Sequence, residues 1–131
     1  MAREAVTHLM FQGEAGAALE MYASIFPAFH LERIERWGTA QPGREGWVKM
    51  AHASLAGHRL MVIDSPVHHD FSFTPAMSLL VECETAEELD AAFDRLSAGG
   101  RVYMPVGSYG FSTRFGWCSD RFGVSWQLKL R

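Results

Sequence analysis

The sequence predicts one α+β domain built from two tandem βαβββ units, with any functional site in the cleft between the copies. Three observations predict this fold. A strand, a helix and three further strands can be read twice along the chain. Apolar positions of the two passes superpose at a nearly constant spacing. The 131 residues, 48% hydrophobic and 21% charged, suit a single globular domain that buries its own core.

The first pass opens with a short apolar run at residues 6–12, ended by Gly13, which reads as a strand. Residues 14–26 carry Ala18, Met21, Tyr22, Ile25 and Phe26 at helical spacing, and Pro27 stops that helix. Residues 29–37 read as a strand. A loop over residues 38–46 follows, with Pro42 and three glycines. Residues 48–55 and 59–64 flank Ala56-Gly57-His58 in a hairpin pattern. A linker of about residues 66–75 separates halves of about 5–65 and 76–131.

In the second pass, residues 77–83 form an apolar strand and residues 85–98 a helix. Thr85 and Glu88 make a capping box, Gly99-Gly100 ends the helix, and Leu89, Ala92, Phe93 and Leu96 form its buried face. Residues 101–106 read as a strand and 108–110 as a turn. Residues 111–119 and 124–130 then flank the turn Asp120-Arg121-Phe122-Gly123. At an offset of 71, Thr7 matches Ser78, Leu9 matches Leu80, Ala18 matches Leu89 and Tyr22 matches Phe93. Near the closing hairpins the offset is 66, pairing Gly57 with Gly123 and Met61 with Gln127.

Charge and composition exclude several classes. The formal net charge is −3 and the charged residues are scattered, so no basic stripe exists to neutralise a nucleic acid. No apolar run approaches the length of a membrane span. Residues 1–4 lack signal-peptide character. Cys83 and Cys118 are solitary, without CxxC spacing or basic neighbours, and read as reduced packed thiols. The expectation is a cytoplasmic protein with no nucleic-acid or membrane partner.

Several segments resemble the PhnB-like branch of the vicinal oxygen chelate superfamily, the glyoxalase/bleomycin resistance/dioxygenase fold. They are Leu9-Met10-Phe11-Gln12-Gly13 with Tyr22, Leu55-Ala56-Gly57, Ile63-Asp64-Ser65-Pro66 and Phe73-Thr74-Pro75. Gly99-Gly100, Met104-Pro105, Tyr109-Gly110-Phe111, Phe115-Gly116-Trp117 and residues 120–127 complete the set. The resemblance implies that the two units form a curved eight-stranded mixed sheet with helices on the convex side, a ligand on the concave side, and a homodimer. It narrows function less, because the superfamily spans isomerases, ring-cleaving dioxygenases, thiol transferases and non-catalytic drug-sequestering proteins. Some similar sequences carry a demethylubiquinone methyltransferase label. This chain has no glycine-rich strand-to-helix loop for a nucleotide-like cofactor.

Catalytic members of the superfamily hold a divalent metal on the first and last strands of each half. The corresponding positions here are Thr7, Ser78, Met61 and Gln127, of which only Gln127 is a plausible ligand. No metal site and no cofactor are therefore expected; a divalent metal is the alternative. On this count Thr7, Leu9 and Phe11 line the cleft, and His8, Met10 and Gln12 turn toward the helices. Ala51, Ala53 and Leu55 form an apolar face, which points Met50, His52 and Ser54 into the cleft. His52 can act there as acid, base or donor. Asp64, at a strand end, is a second candidate base or ligand contact, or else a turn cap. His68 and His69 are a potential metal pair or a surface loop. Trp126 reads as core, Asp120 as a turn fixer. Trp37, Tyr109, Phe111, Phe115 and Trp117 suit either a cleft or a dimer seam.

The expected ligand wall is thus Thr7, Leu9, Phe11, His52, Met61, Asp64, Ser78, Leu80 and Gln127. It would take a small, partly apolar molecule. Three functions stay open: a metal-independent binding module, a metal-dependent lyase, isomerase or dioxygenase, and a metal-free enzyme with His52 or Asp64 as base.

Overall fold

The computed structural model describes residues 1–39 and 44–131. The chain divides into two compact units, Met1–Asp70 and Phe71–Arg131, with the boundary inside the expected linker. The expected loop at residues 38–46 crosses residues 40–43, which lie outside the described residues.

The first unit contains β1 (Thr7–Phe11), α1 (Ala15–Ile25), β2 (Phe29–Arg36), β3 (Val48–Leu55) and β4 (His58–Asp64). Its sheet has the order β1-β4-β3-β2, with β1 parallel to β4 and the other pairs antiparallel. The second unit repeats the plan with β5 (Ser78–Cys83), α2 (Ala86–Ser97), β6 (Arg101–Tyr109), β7 (Ser112–Ser119) and β8 (Ser125–Leu130), in the order β5-β8-β7-β6. All eight expected strands and both helices are present, and hydrogen bonding groups the strands as two four-stranded mixed sheets.

Two turns differ from expectation. The β3–β4 hairpin turns on Ala56 and Gly57, both at positive φ (50° and 86°), as a two-residue turn matched to strand twist requires. It consumes only two residues, so β4 starts at His58 instead of Arg59. Strand β6 runs on to Tyr109, and the next turn falls at Gly110-Phe111 instead of residues 108–110.

Each helix covers one face of its own sheet. Ala15, Ala18, Leu19 and Tyr22 of α1 are buried, as are Leu9, Phe11, Ala51, Ala53, Leu60 and Val62. In the second unit Leu89, Ala92, Phe93 and Leu96 of α2 are buried, with Cys118, Trp126 and Leu128. Gly116 lies under Phe93: a Cβ there would sit 2.6 Å from the ring, so the close approach of helix and sheet requires glycine. Thr85 caps α2 as its sequence signature predicts, its Oγ1 accepting the Glu88 amide at 3.1 Å.

Helix α1 has no side-chain cap of its own, since Glu14 makes no capping bond. Asp64 supplies it from the end of β4. Its Oδ1 accepts the Gly13 amide at 2.7 Å and the Ala15 amide at 3.0 Å. Its Oδ2 accepts the Val48 amide at 2.8 Å. One carboxylate, 1% exposed, therefore fastens the turn after β1, the start of α1 and the start of β3. Asp120 does comparable work in the second unit. It accepts from the Phe122 and Val124 amides through Oδ1 and from the Trp126 indole through Oδ2. Trp126 is fully buried and Asp120 fixes the hairpin turn, as expected.

No helix of the described residues is long and apolar enough to cross a membrane. Cys83 and Cys118 are unbonded to each other and buried. Burial, reinforced by Glu88, pushes the Cys83 thiol up to about 11. Burial, with Asp120 nearby, pushes Cys118 up to about 12.

Two outcomes follow from these contacts. Replacing Asp64 with alanine strands three amides, two of them in buried bonds, and should cost about 3–5 kcal/mol of stability, read by urea denaturation. Both thiols stay protonated at pH 8, so the folded protein should react with a disulfide-forming thiol reagent no faster than it unfolds.

Candidate functional site

A strand alternates faces, so the burial of β1 fixes which side chains turn away from α1. Leu9 and Phe11 are 7% and 4% exposed. Phe11 is paired with Asp64, whose carboxylate reaches the start of α1. Leu9, Phe11 and, by parity, Thr7 therefore lie on the helix side. This corrects the expected face: Leu9 and Phe11 are core, while His8 is exposed and Met10 half-buried on the helix-free side. Thr7 hydrogen-bonds His58 Nε2 at 2.8 Å.

The reason is a turn of different length in the two halves. Three residues separate β1 from α1, but only two separate β5 from α2. The offset of 71 therefore holds for the helices, while the opening strands match at 72. Ladder pairing makes this explicit. His8 pairs with Met61, which pairs with His52; Leu80 pairs with Gln127, which pairs with Trp117. The equivalent residues are thus His8 and Leu80, Met61 and Gln127, His52 and Trp117. Restoring the expected register would bring Leu9 and Phe11 out of the core, at roughly 3–6 kcal/mol for two large apolar side chains. It would also press His8 under the helix.

On the helix-free side of the first sheet, His8, Met61, His52 and Arg33 form a row across four strands. Met61 and His52 are half-buried, and Met10, Met50 and Ile63 extend the same surface. Arg33 is held by Glu35 at 2.7 Å. Two imidazoles thus flank a thioether, a surface able to hold apolar groups beside proton donors and acceptors. Asp64 is not part of it. Its three backbone bonds and its burial make it the clamp of α1 and β3 instead of a cap of the turn at Ser65-Pro66, and remove it as a base or ligand contact.

On the helix-free side of the second sheet, Ser78, Leu80, Gln127 and Trp117 meet. Gln127 Nε2 donates to Ser78 Oγ at 3.2 Å, and Ser78 and Ser125 share a hydrogen bond of 2.6 Å. The Trp117 indole donates to Ser125 at 2.9 Å. Tyr103 packs on the Trp117 ring at 4.9 Å and bonds Ser119 at 3.1 Å. Leu80 is 58% exposed beside them. Sequence reading missed Tyr103 and Ser125. Alternation along β8 placed Ser125 on the Gln127 face, but its bonding to Trp117 depends on a neighbouring strand.

The remaining candidates lie elsewhere. His69 bonds Ser65 at 2.9 Å and His68 approaches Asp70 at 3.5 Å, so the two imidazoles are engaged separately. Phe111 packs edge-on against Phe115 at 4.8 Å and stacks on Tyr109 at 5.9 Å, at the end of the β6–β7 hairpin. Lys49 lies over Trp37 at 5.1 Å.

The residues do not fit the superfamily's divalent metal. At the paired open-side positions His8, Met61, Leu80 and Gln127, only His8 is a good ligand: Met61 offers a thioether, Leu80 offers no donor atom, and the Gln127 amide is bonded to Ser78. Among the described residues, no three His, Cys, Asp or Glu side chains come together to hold a metal. The strand-to-helix turns also leave no cradle for a nucleotide-like cofactor, because Asp64 and Thr85 take amides at the two helix starts.

Comparison with known proteins agrees with the topology. A profile of the 3-demethylubiquinone-9 3-methyltransferase family matches residues 3–129. A PhnB protein from Bacillus cereus is 48% identical, with a TM-score of 0.93 over 98% of this chain and 100% of that one. Protein YjdN of Escherichia coli (strain K12) is 26% identical over 94% of this chain and 92% of its own length. The fosfomycin resistance protein FosX of Listeria monocytogenes, complexed with Mn(II) and sulfate, is 11% identical. It covers 100% of this chain and 93% of its own at a TM-score of 0.68, a likeness of fold alone. The chain belongs to the PhnB-like 3-demethylubiquinone-9 3-methyltransferase family and has the vicinal oxygen chelate fold.

Proposed function

We propose that this chain binds a small, partly apolar molecule on the helix-free faces of its sheets, without the superfamily metal. One observation carries the reading. The equivalent rows His8–Met61–His52 and Leu80–Gln127–Trp117 combine apolar or aromatic surface with imidazole, amide and indole hydrogen-bonding groups, and contain no carboxylate. Such a surface suits an uncharged or weakly polar ligand better than a hard divalent cation.

A second reading is favoured by the position of His8. With His52 it brackets Met61 across adjacent strands, so a ligand over Met61 would have an imidazole on either side, one able to take a proton and the other to give one. This is metal-free acid–base chemistry. The protein is further proposed to be a cytoplasmic homodimer, in keeping with its unbridged buried thiols.

Protein purified without a nickel column should contain well under one equivalent of zinc, manganese, nickel or iron. Stoichiometric metal that disappears in Gln127→Ala would overturn the metal-free reading. Mass spectrometry of the denatured protein would identify any retained small molecule. If that molecule is turned over, His8→Ala and His52→Ala should each lower the rate about 10²-fold or more. Binding without turnover leaves the first reading in place. A sedimenting species of only 14.7 kDa at micromolar concentration would remove the dimer.

A further inference from the structure

The four polar side chains on the second sheet can be assigned a direction by counting protons. The Trp117 indole can only donate, so Ser125 Oγ accepts from it. Ser78 and Ser125 share one short bond of 2.6 Å in which either hydroxyl could be the donor. If Ser78 donated, Ser125 would accept twice and its own hydroxyl proton would have no acceptor, in a side chain 1% exposed. Buried hydroxyls are rarely left so. Ser125 therefore donates to Ser78, which also accepts from Gln127 Nε2. Ser78 is then filled as an acceptor, and its remaining proton points out of the network. Ser78 is half-buried, so that proton can reach a ligand. Gln127 gives its Nε2 to Ser78 from the neighbouring strand, and its carbonyl oxygen keeps its acceptor capacity, with no hydrogen bond from the described residues.

We propose that Ser78 and Gln127 form a donor–acceptor pair that selects a neutral cis-amide or lactam edge on an aromatic or apolar ring. The pairing rests on the ligand-binding reading above and names its ligand class. The Ser78 hydroxyl donates to the ligand carbonyl, and the ligand N–H donates to the Gln127 carbonyl. Leu80, 58% exposed, and the Tyr103–Trp117 stack supply the apolar surface for the ring. A ligand without the N–H leaves the Gln127 oxygen unpaired and loses affinity. The first sheet lacks this device, because Met61 stands where Gln127 does.

The test uses 2-quinolone and 1-methyl-2-quinolone, which carry N–H and N–CH3 at the same ring position. Each is titrated into the full chain while the Trp117 indole N–H is followed by nitrogen-15 NMR, with Trp117→Phe assigning the signal. The 2-quinolone should bind about tenfold tighter, the loss of one hydrogen bond. In Gln127→Met that preference should fall to about one. Ser78→Ala should weaken both ligands, with the Trp126 indole signal, bonded to Asp120, reporting an intact fold. Equal binding of the two probes with a moving Trp117 signal overturns the lactam pairing and leaves the binding face standing. A preference that survives in Gln127→Met overturns the role of Gln127. No response of Trp117 to either probe overturns both the pairing and the binding reading for this sheet.

Discussion

The parallel pairing of the first and last strands of each unit is the constraint on which the rest depends. In β1–β4 and β5–β8 the ladder ties a strand that enters a helix to a strand that ends a hairpin. A parallel connection needs a crossover, and here each crossover runs through a helix packed on its own sheet and then the two strands that follow it. Once the ladder register is set, every side chain of both strands is assigned to the helix side or the open side. Leu9, Phe11, Leu60 and Val62 share one side in the first unit, and Trp126 and Leu128 lie on the matching side in the second. Their burial gives the register its free energy, and the open-side chemistry follows from it.

Two aspartates make these ladders compatible with their turns. Asp64 replaces a missing helix cap and reaches the start of β3, so the end of β4, α1 and β3 are fixed together. Asp120 gathers the second hairpin and the Trp126 indole. Both sit buried with backbone or indole donors on each carboxylate oxygen, a setting in which a carboxylate is structural because both oxygens are already engaged and solvent does not reach them. A conspicuous acid at a strand end therefore has to be judged by its donors before it is judged as a base.

The two open faces have diverged under one frame. The first keeps imidazoles and thioethers, with His8 and His52 on either side of Met61. The second replaces them with Leu80, Gln127 and Trp117 and ties the glutamine to Ser78. A family name that describes a methyltransferase sits beside helix starts closed by the chain's own side chains. The side chains of the two rows therefore say more about chemistry than that name does.

Sequence alone determined the order of elements, the duplication, the capped start of α2, the core role of Trp126 and the turn role of Asp120. Each depends on local signals: apolar periodicity, capping residues and glycines at turns. It also determined the face of β3, because Ala51, Ala53 and Leu55 alternate cleanly with Met50, His52 and Ser54. The face of β1 was decided only by tertiary structure. Its residues Leu9, Met10 and Phe11 are apolar on both sides, so alternation is silent. Counting from α1 crosses a turn one residue longer than its counterpart. A single residue of slip exchanges the faces of a strand, so only the ladder with β4 and the cover of α1 could place His8 outside and Leu9 within. The bonds joining Ser78, Ser125, Gln127 and Trp117 were equally beyond the sequence, because they join residues brought side by side on three strands only by pairing.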